Sequence, residues 1–282
     1  MTEILSNKSG DILPFKTLSN MPDWCVIPER TNRVRIIDIG SLSNLKKFMN
    51  NGVNFNNCPS QNIDTSGWAG SDTFEEYLEL LENGDEQVIK LIRDTTKASI
   101  KEFETKYKEV LTNYRFDVTG QFFDVGLVLT GVPETWLEPE PESEEVLRIE
   151  INIDGGFRCD GEFEIIQKNG GRLCGMIAIL ENHGIEVKVR ITNGVERWGE
   201  NRSREMLVTS FVVKDYDEPI NYKKLSSVLS PTYVRRGAFK IRETLSGGAS
   251  EVGASMILAN HVKLSESSSI NELEEKLFKQ GV

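Results

Sequence analysis

Hydrophobic and polar positions in this chain follow a helical period in the middle and a strand period in the second half. Thr73 stands where it can cap a helix, and Glu76, three residues on, is placed to return a bond to the cap's own amide. That helix ends at Asn83-Gly84, and a longer one runs from about Asp85 to Thr112 with Val88, Leu91, Ile92, Thr95, Ile100, Phe103, Tyr107 and Val110 on its apolar face. Together they predict a helical hairpin. From Val146 the period shortens to two. VLRIEINID alternates as a strand up to Asp154, a helix follows from about Glu162 to Asn182, Gly184 ends it, and IEVKVRIT (Ile185 to Thr192) is a second strand. Strand, helix and strand of these lengths predict a right-handed parallel crossover. MLVTSFVV (Met206 to Val213) is the near-continuous apolar run of a strand buried on both faces. Helices are expected from about Tyr222 to Leu229 and, with Ser230 as cap and Pro231 in the first turn, onward through Thr244. Met256 to Ala259 reads as a last strand, and Ser269 to Glu272 as the capping box of a terminal helix.

The remaining stretches are punctuated rather than periodic. Pro14, Pro22, Pro28 and Pro59 interrupt the first seventy residues, within which Val34 to Ile39 reads as a strand and Ser43 to Asn50 as a short helix stopped by Asn51-Gly52. Tyr114 to Trp136 mixes apolar pairs with Gly120, Gly126, Gly131 and Pro133, which leaves helix and strand both open. EPEPESEE (Glu138 to Glu145) has no apolar content and predicts an exposed, extended segment. The expected organisation is an irregular arm or subdomain over 1–70, a helical middle over 71–137, an acidic linker over 138–145 and an α/β domain over 146–282. The fold class is α/β (α+β overall), with a doubly wound, largely parallel sheet in the carboxy-terminal half.

Charge narrows the partners. A net charge of -11 repels phosphate backbones and anionic lipid, so nucleic acid and membrane surfaces lose their usual driving force. Cys25, Cys58, Cys159 and Cys174 are dispersed, form no C-x-x-C pair, and are joined by two histidines, a poor zinc inventory. The start carries no basic region followed by an apolar run, so the expected compartment is a reducing cytoplasm with free thiols.

Asp154, at the carboxyl end of a strand and followed by two glycines, sits where open α/β sheets bind ligands, although a plain strand-ending turn explains it too. Gly170, Gly171 and Gly175 lack the spacing of a phosphate loop and lie inside a helix pattern; close approach of that helix to the sheet accounts for them. His183 is placed to cap the same helix, and neither it nor His261 is flanked by a nucleophile signature. Arg197, Arg202 and Arg204, with Trp198, fall in a connecting loop; Arg235-Arg236 begins a helix beside Tyr233. Arginines beside aromatics suit a partner contact, while Glu196, Glu200 and Glu205 offer the first three partners within the chain. The residues expected to contact a ligand or partner are therefore Asp154, Arg158, Arg197, Trp198, Arg202, Arg235 and Arg236. No catalytic set, metal or cofactor is expected.

Three blocks carry a resemblance. SGWAGSDTFEEYLELLENGDEQVIKLI, YRFDVTGQFFDVGLVLTGVPETW, and VLRIEINIDGG with its helix and GIEVKVRI resemble, in order and spacing, an uncharacterised bacteriophage family known as a domain of unknown function, over roughly Gly67 to Leu245. Trp68, Thr73-Phe74-Glu75-Glu76 and Asn83-Gly84 match its first block; Asp117, Gly120, Asp124, Val125, Gly126, Gly131 and Pro133 match its second. The resemblance implies an origin and carries no activity. More coarsely, the carboxy-terminal half resembles a von Willebrand factor A-type fold, in which Asp-x-Ser-x-Ser after the first strand binds a hard cation. Here that loop reads Asp154-Gly155-Gly156-Phe157-Arg158, with glycine and arginine in place of both hydroxyls, which argues against a metal and for an anion.

The expected function is a non-enzymatic, phage-encoded binding or assembly module that recognises a host or phage protein through loops at the carboxyl ends of the strands. Two alternatives stand beside it. One is a magnesium-dependent enzyme or binder acting on nucleic acid or nucleotide, with Asp117, Asp124, Asp154 and Asp160 converging; the other is a virion component.

Overall fold

The computed structural model of the chain describes residues 33–51, 59–64, 67–108, 146–156, 163–198, 204–246, 255–256 and 261–279. Its strands are β1 (Arg33–Ser41), β2 (Arg148–Asp154), β3 (Glu186–Trp198), β4 (Arg204–Lys214) and the short β5 (Ser255–Met256). Its α-helices are α1 (Leu42–Asn51), α2 (Phe74–Asn83), α3 (Glu86–Lys106), α4 (Phe163–Asn182), α5 (Tyr222–Val228), α6 (Phe239–Ser246) and α7 (Ser267–Lys279). The four longer strands lie in the order β1-β4-β3-β2. The β1/β4 and β2/β3 ladders are parallel and β3/β4 is antiparallel, so the α/β class and the largely parallel sheet expected from the sequence are both present. β2 and β3 are joined through α4, as the crossover pattern requires. Val262 extends the sheet past β2 through a parallel bridge to Ile153.

Alternation gives the sheet two unlike faces. Ile151 and Ile153 of β2 stand in register with Val189 and Ile191 of β3, and Ile191 with Phe211 of β4; all are buried in one hydrophobic core. Helices cover this face. Tyr233 packs edge-on against Phe211 and accepts a hydrogen bond at its hydroxyl from Asn193 Nδ2 (2.6 Å). α3 and α4 then pack on each other at close range: a Cβ on Gly171 would fall 2.6 Å from Thr95 Cβ and one on Gly175 2.8 Å from Ser99 Cβ. The α4 glycines thus serve a helix-to-helix approach, not the helix-to-sheet approach expected, because α3 lies on α4 as a further layer.

Local signals held with some shifts. Thr73 Oγ1 accepts the Glu76 amide (3.1 Å), but Glu76 returns its carboxylate to the amide of Asp72 (2.7 Å) and not to that of Thr73. Asp85 caps α3 through the amides of Gln87 and Val88. α3 ends at Lys106, with the Tyr107 amide bonded to Phe103 O; the expected span from 109 to Thr112 lies outside the described residues. α7 begins at Ser267, two residues before the expected box, because the Ser269 hydroxyl accepts the Lys263 amide (3.0 Å) and fastens the preceding turn. β3 continues past Thr192 to Trp198, since β4 pairs with its whole second half. The expectation for 114–145 lies outside the described residues.

Two buried polar centres fasten the helices. Arg236, in a single stretch of π-helix (Tyr233–Ala238), is fully buried. Its guanidinium donates to the carbonyls of Ser60 (3.0 Å), Asn62 (2.5 Å), Ser71 (2.7 Å) and Asp72 (2.9 Å), strapping 59–72 to the helical layer. Glu243 completes the strap by accepting from the Ser60 amide (3.0 Å) and hydroxyl. On the far side, Glu274 of α7 accepts from Lys106 Nζ (2.5 Å), the Tyr107 hydroxyl (2.7 Å) and Arg172 Nη2 (2.7 Å), joining α7 to α3 and α4.

Replacing Arg236 with leucine orphans the carbonyls it serves and is expected to cost about 3 kcal/mol or more, read as a lowered urea midpoint. Burial alone raises the Glu274 carboxyl, but the hydrogen bonds from Lys106 and Tyr107 and the charges of Lys106 and Arg172 outweigh it and hold it below the ordinary range. A depressed carboxylate contributes stability that is complete above the unfolded value of about 4.3 and is lost as pH falls through the lower folded value. A thermal-melting series against pH should therefore show a flatter acid limb for Glu274→Gln than for the natural chain.

Candidate functional site

The second face of the sheet is polar. Register places Asp38 of β1, Ser210 of β4, Thr192 of β3 and Asp154 of β2 in one row across it, and Glu150, Asn152 and Arg190 on the same side. Arg190 is buried at the centre. Its Nε donates to Glu150 (2.6 Å) and its Nη1 to Asp38 (3.0 Å) and the Ser210 hydroxyl (3.1 Å), so one guanidinium reaches a side chain on each of the other three long strands.

Asp154 closes β2 and is 7 % exposed. Its amide donates to Val262 O (2.9 Å), and its carboxylate accepts the Gly156 amide (2.8 Å). Gly155 lies tight against β3: its amide bonds Thr192 O, and a Cβ would fall 2.6 Å from Ile191 Cγ2. Burial pushes the Asp154 carboxyl up to about 6, against the smaller lowering effects of the Gly156 amide and Lys263. On the same face Thr192 Oγ1 and Asn152 Oδ1 are buried without a hydrogen-bond partner among the described residues. Buried polar atoms held this way cost stability, and they gather where a ligand or partner can satisfy them.

A crevice of about 380 Å³ opens at the carboxyl ends of the parallel pair β1 and β4, the position where open α/β sheets receive ligands. Asp38, Gly40 and Ser41 form one wall, with Gly40 in the left-handed region (φ 77°) and its amide donating to Asp38 (3.0 Å). The Ser41 hydroxyl accepts the Asn44 amide (3.3 Å) at the start of α1. Lys188, Arg190, Asp215, Glu218 and Lys224 complete the rim. Lys188 pairs with Asp215 (2.9 Å) and holds that carboxyl below its ordinary range; Lys224 pairs with Glu218 (2.8 Å). A second hollow of about 510 Å³, lined by Arg93 and 218–224, shares Glu218 and Lys224 with the first.

Of the residues singled out from the sequence, those described do not meet at one place. Asp154 lies on the polar face. Arg197 and Trp198 are not in a loop but in β3, opposite Glu205 and Arg204. Arg235 stacks on Trp68 (5.0 Å) and Phe163 (5.4 Å) and donates to Trp68 O, and Arg236 is the buried strap already described. Arg158, Arg202, Asp117, Asp124 and Asp160 lie outside the described residues. His183 Nδ1 lies 2.7 Å from Ile179 O at the end of α4, the capping place expected of it. Cys174 is buried, and desolvation pushes its thiol up to about 12, which makes it unreactive. Among the described residues no three histidines, cysteines or carboxylates gather as metal ligands. The residues missed from the sequence are Arg190, Lys188, Glu150 and Asp38. For Glu150, Lys188 and Arg190 the signal was present as charges at alternate positions of IEINID and IEVKVRIT, but alternation alone reads as a wet face; Asp38, in VRIIDI, carried no such signal.

Asp154 supports a test of cost. Its carboxyl is raised, so the folded state holds a proton that the unfolded chain releases, and stability falls as pH rises from about 4 to about 6 and stays reduced above. Asp154→Asn keeps an acceptor for the Gly156 amide and removes the buried charge. It is expected to stabilise the protein by about 2–3 kcal/mol at pH 7 and by almost nothing at pH 4, measured by urea unfolding at both.

No helix among the described residues is long and apolar enough to cross a membrane. No curated protein and no solved structure matches the chain. A family model does match, over residues 21–260, which include the four long strands and every described α-helix but α7. The chain belongs to the family described as Domain of unknown function (DUF7192).

Proposed function

We propose that this chain is a non-enzymatic binding or assembly module that recognises a protein partner with the polar face of its sheet and the loops at its strand ends. The observation that carries this reading is the state of the polar groups there. Asp154, Thr192 and Asn152 are buried at a cost, while the charges around the crevice are each matched with a neighbour and spread along a rim, with none focused on one reacting atom. A phage origin belongs to the same proposal and rests on the sequence blocks alone. So does the von Willebrand factor A-type likeness. What supports it is strand order: β4, β3 and β2 side by side, α4 between β2 and β3, and the Val262 segment parallel on the far side of β2.

Tagged protein purified from cells that naturally produce it, with and without nuclease, tests the reading. The expected outcome is a stoichiometric protein partner that survives nuclease and is weakened by Asp154→Asn, a variant that stays folded. Partners that vanish with nuclease, or magnesium-dependent turnover of nucleotide by the purified chain, would replace this reading with the enzyme or nucleic-acid alternative.

A further inference from the structure

The two adjoining hollows at the end of β4 differ in charge from the rest of the molecule. Their walls carry Arg93, Lys188, Arg190, Lys223 and Lys224 against Asp38, Asp215 and Glu218. Asp38 is committed to Arg190 on the sheet, through Nη1 at 3.0 Å, and to the Gly40 amide. The rim is left with four cations facing two carboxylates, in a chain whose net charge is -11. Both of those carboxylates are close to half exposed (Asp215 45 %, Glu218 48 %), and exposed ion pairs are worth roughly 0–1 kcal/mol, so an incoming carboxylate can take over Lys188 or Lys224 at small cost. The Glu218–Lys224 pair lines both hollows and makes them one two-lobed trough. Half-buried Ile220 and Tyr222, with exposed Pro219, give the second lobe an apolar lining, and Arg93 lies over the Tyr222 ring at 5.4 Å. Cations strung along a trough with an apolar lining suit an extended chain better than a compact ion.

We propose that this trough is the docking site for an acidic, extended segment of the partner protein, with carboxylates engaging Lys188, Lys223, Lys224 and Arg93 and an apolar side chain resting on Tyr222 and Ile220. The inference rests on the binding-module reading and assigns it a surface and a partner chemistry.

The test is fluorescence anisotropy of the full chain with a labelled Glu/Leu/Ser peptide, a Lys/Leu/Ser peptide of equal length, and labelled single-stranded DNA. The acidic peptide should bind, lose affinity as salt rises, and be weakened about tenfold (roughly 1.4 kcal/mol) by the double variant Arg93→Glu, Lys223→Glu. Both positions are exposed, so the variant is expected to fold, and an unchanged melting temperature checks this. Equal binding of the basic peptide, tighter binding of the DNA, or indifference to the double variant would overturn the proposal. Failure of this inference is separable from failure of the binding-module reading. If the nuclease-resistant partner is still captured by the double variant, only the trough assignment falls; if no protein partner is captured by either protein, both fall.

Discussion

Arg190 is the point at which the four long strands are tied together outside the hydrophobic core. Its guanidinium, on β3, reaches Glu150 on β2, Ser210 on β4 and Asp38 on β1, the last across the intervening β4. A buried cation is tolerable only while paired, and losing one partner of such a set costs about 3–5 kcal/mol. The requirement fixes more than stability. Asp38 is held where its other oxygen accepts the Gly40 amide, and that turn sets the start of α1 and one wall of the crevice.

The two faces of the sheet follow opposite rules. The apolar face is covered by α4, on which α3 packs so closely that Gly171 admits no extra carbon, and the energy of this side comes from packing. The polar face spends stability. Among the described residues Asp154 is buried without an ion pair, and oxygens of Thr192 and Asn152 stand without hydrogen-bond partners. A protein that gave up this cost by placing asparagine at 154 would be more stable at neutral pH. Keeping the acid makes sense where recognition uses it.

The helices and strands were legible because each carries a local signal. The Thr73 cap, the Asp85 start, the Ser230-Pro231 start and the alternation of VLRIEINID are short-range devices, and they appear where the pattern placed them. The errors came where a competing group intervened, whether a few residues away or on another strand. Glu76 found the Asp72 amide, Ser269 was taken by Lys263, and β3 outran its apolar run because β4 was there to pair with it. Arg236 shows the same effect most clearly. Beside Arg235 in the text it reads as half of a basic pair, yet one of the two stacks on Trp68 and the other is fully enclosed by carbonyls from 60–72, more than a hundred and fifty residues earlier in the chain.

The sequence by itself determined the α/β class, the crossover from β2 through α4 to β3, and the acid of the strand-end turn as a place of interest, since these depend on periods and caps within reach of a few residues. Only the tertiary structure decided that Asp154 is buried and raised, that Arg190 joins four strands, and that Arg93, Lys188 and Lys223 border one trough. Burial and charge pairing are properties of distance in space, and the groups that meet there are separated along the chain by stretches whose local patterns carry no record of one another.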